Sequence, residues 1–254
     1  MKIISLYEGS YSVDSSKKFV PFDPNVDKKS DRPGSLFIHV HPFLLKTEKA
    51  LIVIDTGLGF TQNGEMSIVH NIRAAGYEPE QVDYVLLSHL HKDHASGMVD
   101  ENGSLVFPNA QYVIQRQEWE VARKTRSDSY QIDHIEILED SENLLLVEGN
   151  GQLDGFITYE ISGGHSEFHQ VFWIKDNDTT YFYGGDEWPE PEQILKRFAA
   201  KYDYDGRKAM HLRDTYAKQA SDEKWICLFY HATKCAIAHI VAKGDSYSIE
   251  EVQT

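Results

Sequence analysis

Ser88-His89-Leu90-His91-Lys92-Asp93-His94-Ala95-Ser96-Gly97 decides how the rest of the chain is read. It directly follows the apolar run Val82-Asp83-Tyr84-Val85-Leu86-Leu87, and a polar loop at a strand end is where a site rests on a rigid support. Three His and one Asp within six residues cannot all be core residues, because four buried titratable groups would each need a partner. Neutral imidazole and carboxylate are the usual ligands of zinc and similar divalent ions. A solvated His-rich turn is the plain alternative; a metal site is the better reading.

Outward from this loop, short β-branched or aromatic runs bounded by turn residues predict strands at 36–40, 50–54, 82–87, 112–115, 156–161, 171–174, 180–183, 225–230 and 236–241. A helix is expected at 65–75, where Met66, Val69 and Ile72 share a face and Gly76 ends the pattern. Others are expected at 115–125, 191–202 and about 207–220. Strands early, helices between some of them and strands again late imply two sheets with helices outside. No repeat, low-complexity tract or linker divides the sequence, so residues 1–254 read as one domain. The polar stretch 17–34 is expected to be a long loop that covers a site.

The charge balance narrows the partners. The chain carries 25 Lys+Arg against 40 Asp+Glu, a net charge of −15, so a polyanion would be repelled over most of the surface. Nucleic acid and anionic membranes are therefore not expected, while metal ions could still create a small cationic pocket. With 41% hydrophobic and 26% charged residues, the composition suits a globular protein with a sizeable core. Cys227 and Cys235 cannot build a disulfide framework, and they read as buried, unreactive thiols. Met1-Lys2-Ile3-Ile4-Ser5-Leu6-Tyr7-Glu8 makes a poor signal peptide, and no later run is long enough to span a bilayer. A cytoplasmic setting is expected.

The loop from His89 to His94 resembles the His-x-His-x-Asp-His motif of the metallo-β-lactamase superfamily, and the likeness extends in order over almost the whole chain. Asp55-Thr56-Gly57, Gly163-Gly164-His165, Gly184-Gly185-Asp186 and Phe229-Tyr230-His231 each match a further family feature, each after a strand-like run. The resemblance implies an α/β fold, the four-layer αββα metallo-β-lactamase sandwich. It also implies two divalent metal ions, zinc by default, with Fe, Mn or Co suited to comparable donors. His89, His91 and His165 would hold one metal; Asp93, His94 and His231 would hold the other, with Asp186 bridging. Asp55 and Asp83 are candidates to orient ligand histidines from behind. His91 stands where the diiron redox members carry Glu, which favours hydrolysis.

Within the superfamily the chain is most similar to the N-acyl-homoserine lactonase-like branch. His94 to His165 is 71 residues, His165 to Asp186 is 21 and Asp186 to His231 is 45. The chemistry implied is a metal-bridging hydroxide attacking the carbonyl of a small lactone or ester, N-acyl-homoserine lactone-like substrates favoured, with Asp93 catalytic in passing a proton to the leaving alkoxide. A small-molecule substrate is the expected partner, and a homodimer is compatible with the sequence. One departure matters: the lactonases carry Tyr three residues after the bridging Asp, and this chain has Pro189 there. That leaves the pocket open to other lactones, esters, amides or thioesters.

A glyoxalase II-like thioester hydrolase is the alternative, and it would need cations for the carboxylates of glutathione. The late region offers scattered Lys196, Arg197, Lys201, Arg207 and Lys208. A non-catalytic metal-binding or sensing protein, the alternative of another class, would be expected to have lost ligand positions first, and all seven are present. Trp188 is a candidate pocket wall, with packing as its competing role. The segments 17–22 and 202–216 are candidate pocket covers. His39, His41, His70, His134, His169, His211 and His239 have no motif partner and are left outside the site.

Overall fold

The computed structural model describes residues 2–139 and 141–253, and two sheets make its frame. The first runs, in spatial order, Lys2–Ser5, Phe43–Lys46, Leu51–Ile54, Tyr84–Leu86, Gln111–Gln115 and Leu144–Val147. Its first three strands pair antiparallel, and the last four are parallel to one another. Parallel neighbours need long crossovers, which is why helices and the histidine loop fall between them. The second sheet runs Gly151–Leu153, Ile157–Ile161, Gln170–Asp176, Thr179–Tyr183, Ile226–Leu228, Ile237–Lys243 and Ser246–Glu251. It is antiparallel except between Thr179–Tyr183 and Ile226–Leu228, where the helix Gly206–Glu223 makes the crossover.

Side-chain alternation along the strands assembles the layers. Ile52 and Ile54 face the second sheet in a cluster with Phe172, Tyr183 and Leu228. Leu51 and Val53 face outward and pack with Ile68 and Ile72 of the helix Ser67–Ala74. A strand buried on both faces has no place for polar alternation, so Leu51-Ile52-Val53-Ile54 reads as a continuous apolar run. The helices Arg116–Thr125 and Ile132–Glu139 extend the same outer layer through Trp119, Ala122, Ile135 and Leu138. In the second sheet, Tyr181 and Tyr183 point inward. Phe182 points outward to Tyr216, Ala217 and Ala220 of the helix Gly206–Glu223. The result is the expected αββα order.

Three local expectations change. The segment 191–202 forms only the 3-10 turn Pro191–Leu195, because Arg213 from the long helix binds the Gln193 side chain and the Phe198 carbonyl. The stretch 17–34 is not all loop: Phe19–Pro21 joins Gly9–Val13 and Leu36–Val40 in a small third sheet. The helix Ile132–Glu139 and the edge strands Lys2–Ser5 and Ser246–Glu251 lie outside the sequence expectations. Among the described residues, no helix is long and apolar enough to cross a membrane.

Candidate metal centre

The polar loop after Tyr84–Leu86 leads into a single turn of helix, Lys92–Ala95, which presents Asp93 and His94 behind His89 and His91. The second sheet supplies the remaining groups from its strand ends. His165 sits in the turn between Ile157–Ile161 and Gln170–Asp176, Asp186 in the 3-10 turn Gly185–Glu187, and His231 just beyond Ile226–Leu228. All seven candidate ligands thus meet at one edge of the sandwich, four from one sheet and three from the other.

They meet as two sets. His89 Nε2 and His165 Nε2 lie 2.9 and 3.2 Å from His91 Nδ1. His231 Nε2 lies 3.5 Å and His94 Nε2 3.8 Å from Asp93 Oδ2. Asp186 stands between the sets. Its Oδ2 is 3.3 Å from His165 Nε2, while its Oδ1 is 3.2 Å from His94 Nε2 and 3.1 Å from His231 Nε2.

The outer nitrogens of these rings are committed elsewhere, which tests whether the inner ones suit a cation. His94 Nδ1 donates to Asp55 Oδ2 at 2.6 Å, His165 Nδ1 to Asp203 Oδ1 at 3.0 Å and His231 Nδ1 to the His39 carbonyl at 2.6 Å. Ser88 Oγ donates to Asp55 at 2.7 Å and so accepts from His89 Nδ1 at 3.1 Å. In the neutral rings, lone pairs are left facing one another and facing carboxylates, an arrangement a cation resolves. His94 Nε2 and Asp186 Oδ1 are buried without a hydrogen-bond partner among the described residues, and a shared ion would satisfy both. The donor set fits divalent metal ions.

Electrostatics divide the rings in the same way. Burial, aided by neighbouring histidines, holds His89 and His91 well below the usual imidazole pKa. Burial also opposes the charged form of His94, but Asp186, Asp93 and Asp55 outweigh it and raise the ring well above its ordinary value. His165 and His231 are raised for the same reason, with Asp186 as the leading attraction. Burial would raise the Asp186 carboxyl, yet His231, His94 and His165 hold it well below the carboxylate range. Without metal these carboxylates favour protons on the histidine rings; a cation would displace those protons.

Supporting residues come from distant positions. Asp55 accepts four hydrogen bonds, from Ser88 N, Ser88 Oγ, His94 Nδ1 and Tyr183 Oη. Tyr230 stacks on His94 with centroids 4.0 Å apart and donates to the Asp93 carbonyl. Ser88 and Tyr230 adjoin the ligands His89 and His231 in sequence, whereas Asp203 and Tyr183 are brought here by the fold. Asp83 does not join them: its Oδ2 accepts from Leu51 N at the far end of its strand. Trp188 is corrected as well. It is 1% exposed and packs edge-on against Phe229, so it is a core residue and not a pocket wall.

A cavity of about 200 Å³ opens onto His91, Asp93, His165, Asp186 and His231. Val13, Phe19, Leu36 and Ile38 of the small third sheet make its apolar side, and Lys17 and Tyr202 also line it. The candidate covers 17–22 and 202–216 therefore each contribute to the lining. A larger depression of about 580 Å³ lies beside the helix Ser67–Ala74 and touches none of the seven candidate ligands.

Comparison with known proteins places this geometry. A family model described as the metallo-beta-lactamase superfamily matches residues 37–231. An N-acyl homoserine lactonase of Bacillus cereus is 30% identical over 165 residues, 56% of this chain and 61% of that protein. The chain thus matches less than two thirds of that relative's length. A probable metal-dependent hydrolase from Staphylococcus aureus superposes with a TM-score of 0.77 at 22% identity, covering 100% of this chain and 97% of that one. AidC, a dizinc quorum-quenching lactonase in complex with a product, superposes with a TM-score of 0.76 at 20% identity, covering 99% and 94%. At these identities the superpositions speak for the fold.

Proposed function

The chain belongs to the metallo-beta-lactamase superfamily, and from that premise we propose that it is a dinuclear metal-dependent hydrolase of small lactones or esters, with N-acyl-homoserine lactone-like substrates favoured. The observation that carries the proposal is Asp186, which offers one oxygen to His165 and the other to His94 and His231. Divalent ions in two such sites supply an acidified water near neutral pH and polarise a substrate carbonyl.

The chain's own groups do the rest. The apolar side formed by Val13, Phe19, Leu36 and Ile38 seats an acyl portion and excludes water from it. Asp93 lines the cavity beside His231 and is placed to pass a proton to the leaving alkoxide. Tyr202 lines the same cavity with its ring edge-on to His165 at 6.0 Å. Its phenol is a neutral donor that can hydrogen-bond a substrate oxygen, a part Pro189 cannot play. Among the described lining residues Lys17 is the one lysine or arginine, which disfavours a tripeptide thioester with two carboxylates to neutralise.

A metal count on the purified protein, with lactone, ester and thioester hydrolysis measured before and after chelation, tests this reading. The expected result is about two metals per chain and chelator-sensitive lactone or ester turnover. Preference for thioesters would replace the substrate assignment. Absence of metal after reconstitution would overturn the proposal.

A further inference from the structure

Behind the candidate ligands runs a chain of buried polar groups whose hydrogen-bond directions are forced. The Asp186 backbone N–H can only donate, and it points at His169 Nε2 at 3.1 Å. That nitrogen must therefore be a lone pair, and the ring proton sits on Nδ1, 2.8 Å from Ser162 Oγ. The Ser162 hydroxyl, accepting from His169, has one proton left to give. Glu187 Oε1 lies 2.8 Å away and the His169 carbonyl 3.0 Å; the carboxylate is the nearer and stronger acceptor. The same Glu187 oxygen also receives the backbone N–H groups of Gly164 at 2.5 Å and His165 at 3.0 Å. His169 and Glu187 are both 0% exposed, and Ser162 is 2% exposed, so the links are shielded from bulk water.

The two glycine pairs of the sequence make room for this chain. A Cβ at Gly185 would meet His169 Nε2 at 2.7 Å, and one at Gly164 would meet Glu187 Oε2 at 2.4 Å. The residues before Asp186 and His165 are thus kept small by His169 together with Ser88, and by Glu187 together with the Ala209 backbone. One end of the chain holds the backbone of Asp186, and the other holds the backbone of His165. Those are the two candidate ligands 3.3 Å apart where the two sets meet.

We infer that His169, Ser162 and Glu187 are positioning residues: as one directional relay they fix the separation of His165 and Asp186 and so set the metal affinity of the pair. This inference rests on the metal-centre reading above. It concerns residues that touch neither substrate nor metal, and it gives His169 a role that lack of a motif partner had denied it.

Zinc affinity by competition with a chromophoric chelator, and the visible spectrum of the Co(II)-loaded protein, test it on His169→Ala, Ser162→Ala and His169→Gln. Outer partners of metal ligands typically contribute 10–100-fold in affinity, so His169→Ala and Ser162→Ala are expected to bind zinc about 10–100-fold more weakly and to shift the Co(II) bands. His169→Gln keeps an acceptor opposite the Asp186 N–H and is expected to recover part of that loss. Ser162→Ala removes a single oxygen, so it decides the matter should His169→Ala not fold. Wild-type affinity and an unchanged Co(II) spectrum in folded Ser162→Ala would overturn the relay. Failure of the unmodified protein to take up zinc is a different result: it would refute the metal-centre reading, and the relay with it.

Discussion

Each histidine at the centre is held by what its far nitrogen touches. Asp55, Asp203 and the His39 carbonyl take the outer protons of His94, His165 and His231, leaving the inner nitrogens for cations. The residues that converge were legible in the sequence because ligand chemistry demands particular side chains at short, fixed spacings. The segment 202–216 was legible only as a candidate cover: that Tyr202 lines the cavity and Asp203 holds His165 Nδ1 depends on tertiary contacts that no local pattern encodes. The missing lactonase Tyr belongs to this scale. If Tyr202 supplies the donor that Pro189 lacks, Tyr202→Phe should lower kcat by about 10²-fold with KM little changed, the usual effect of removing one hydrogen bond made chiefly in the transition state. Steady-state kinetics on the preferred lactone checks it. Equal kcat in the variant would make Tyr202 a wall of the pocket and nothing more.

Elements place these residues by where they stop. The strand ends and turns that carry the ligands converge on one edge, and the strands were readable from apolar runs, while edge strands and the turn Pro191–Leu195 depended on tertiary contacts that a local pattern does not encode. Glu8 illustrates such a contact. It sits between Lys2–Ser5 and Gly9–Val13, yet its carboxylate accepts from Leu58 N at 2.6 Å and Phe60 N at 3.0 Å, fastening the loop after Leu51–Ile54. Burial raises its pKa to about 7, against the lowering pull of those hydrogen bonds. Between the ordinary value of 4.5 and about 7, the folded state keeps a proton that the unfolded chain has released. Stability from this group is therefore full below about 4.5, falls as pH rises toward about 7 and is level above it, a difference of about 3 kcal/mol. Glu8→Gln cannot titrate. Urea unfolding from about pH 5 to about pH 8 should show a decline in the wild type that is flattened in the variant; parallel curves would mean that Glu8 titrates normally.

At the scale of the molecule, the centre joins the two sheets. His89, His91, Asp93 and His94 hang from the first, and His165, Asp186 and His231 from the second, while the shared apolar core lies between the sheets. The layer order was legible because strands buried on both faces are apolar throughout and helices are amphipathic, whereas the way the two sheets pack was not written in any single segment. Ions bound by both sheets would favour the folded state by mass action, since the unfolded chain cannot assemble ligands 142 residues apart, from His89 to His231. At a free metal concentration about 10³ times Kd, each site adds about 4 kcal/mol, which for a chain of this size raises Tm on the order of 10 °C. Chelation should lower Tm by that order, and hydrogen exchange should quicken in the loops 88–97, 163–169, 184–188 and 229–232. The distant pair Ile237–Lys243 and Ser246–Glu251, held by its own ladder, should keep its protection. A Tm indifferent to chelator, with exchange unchanged in those four loops, would mean that the core alone fastens the sheets and that the converging ligands hold no ion of consequence to the fold.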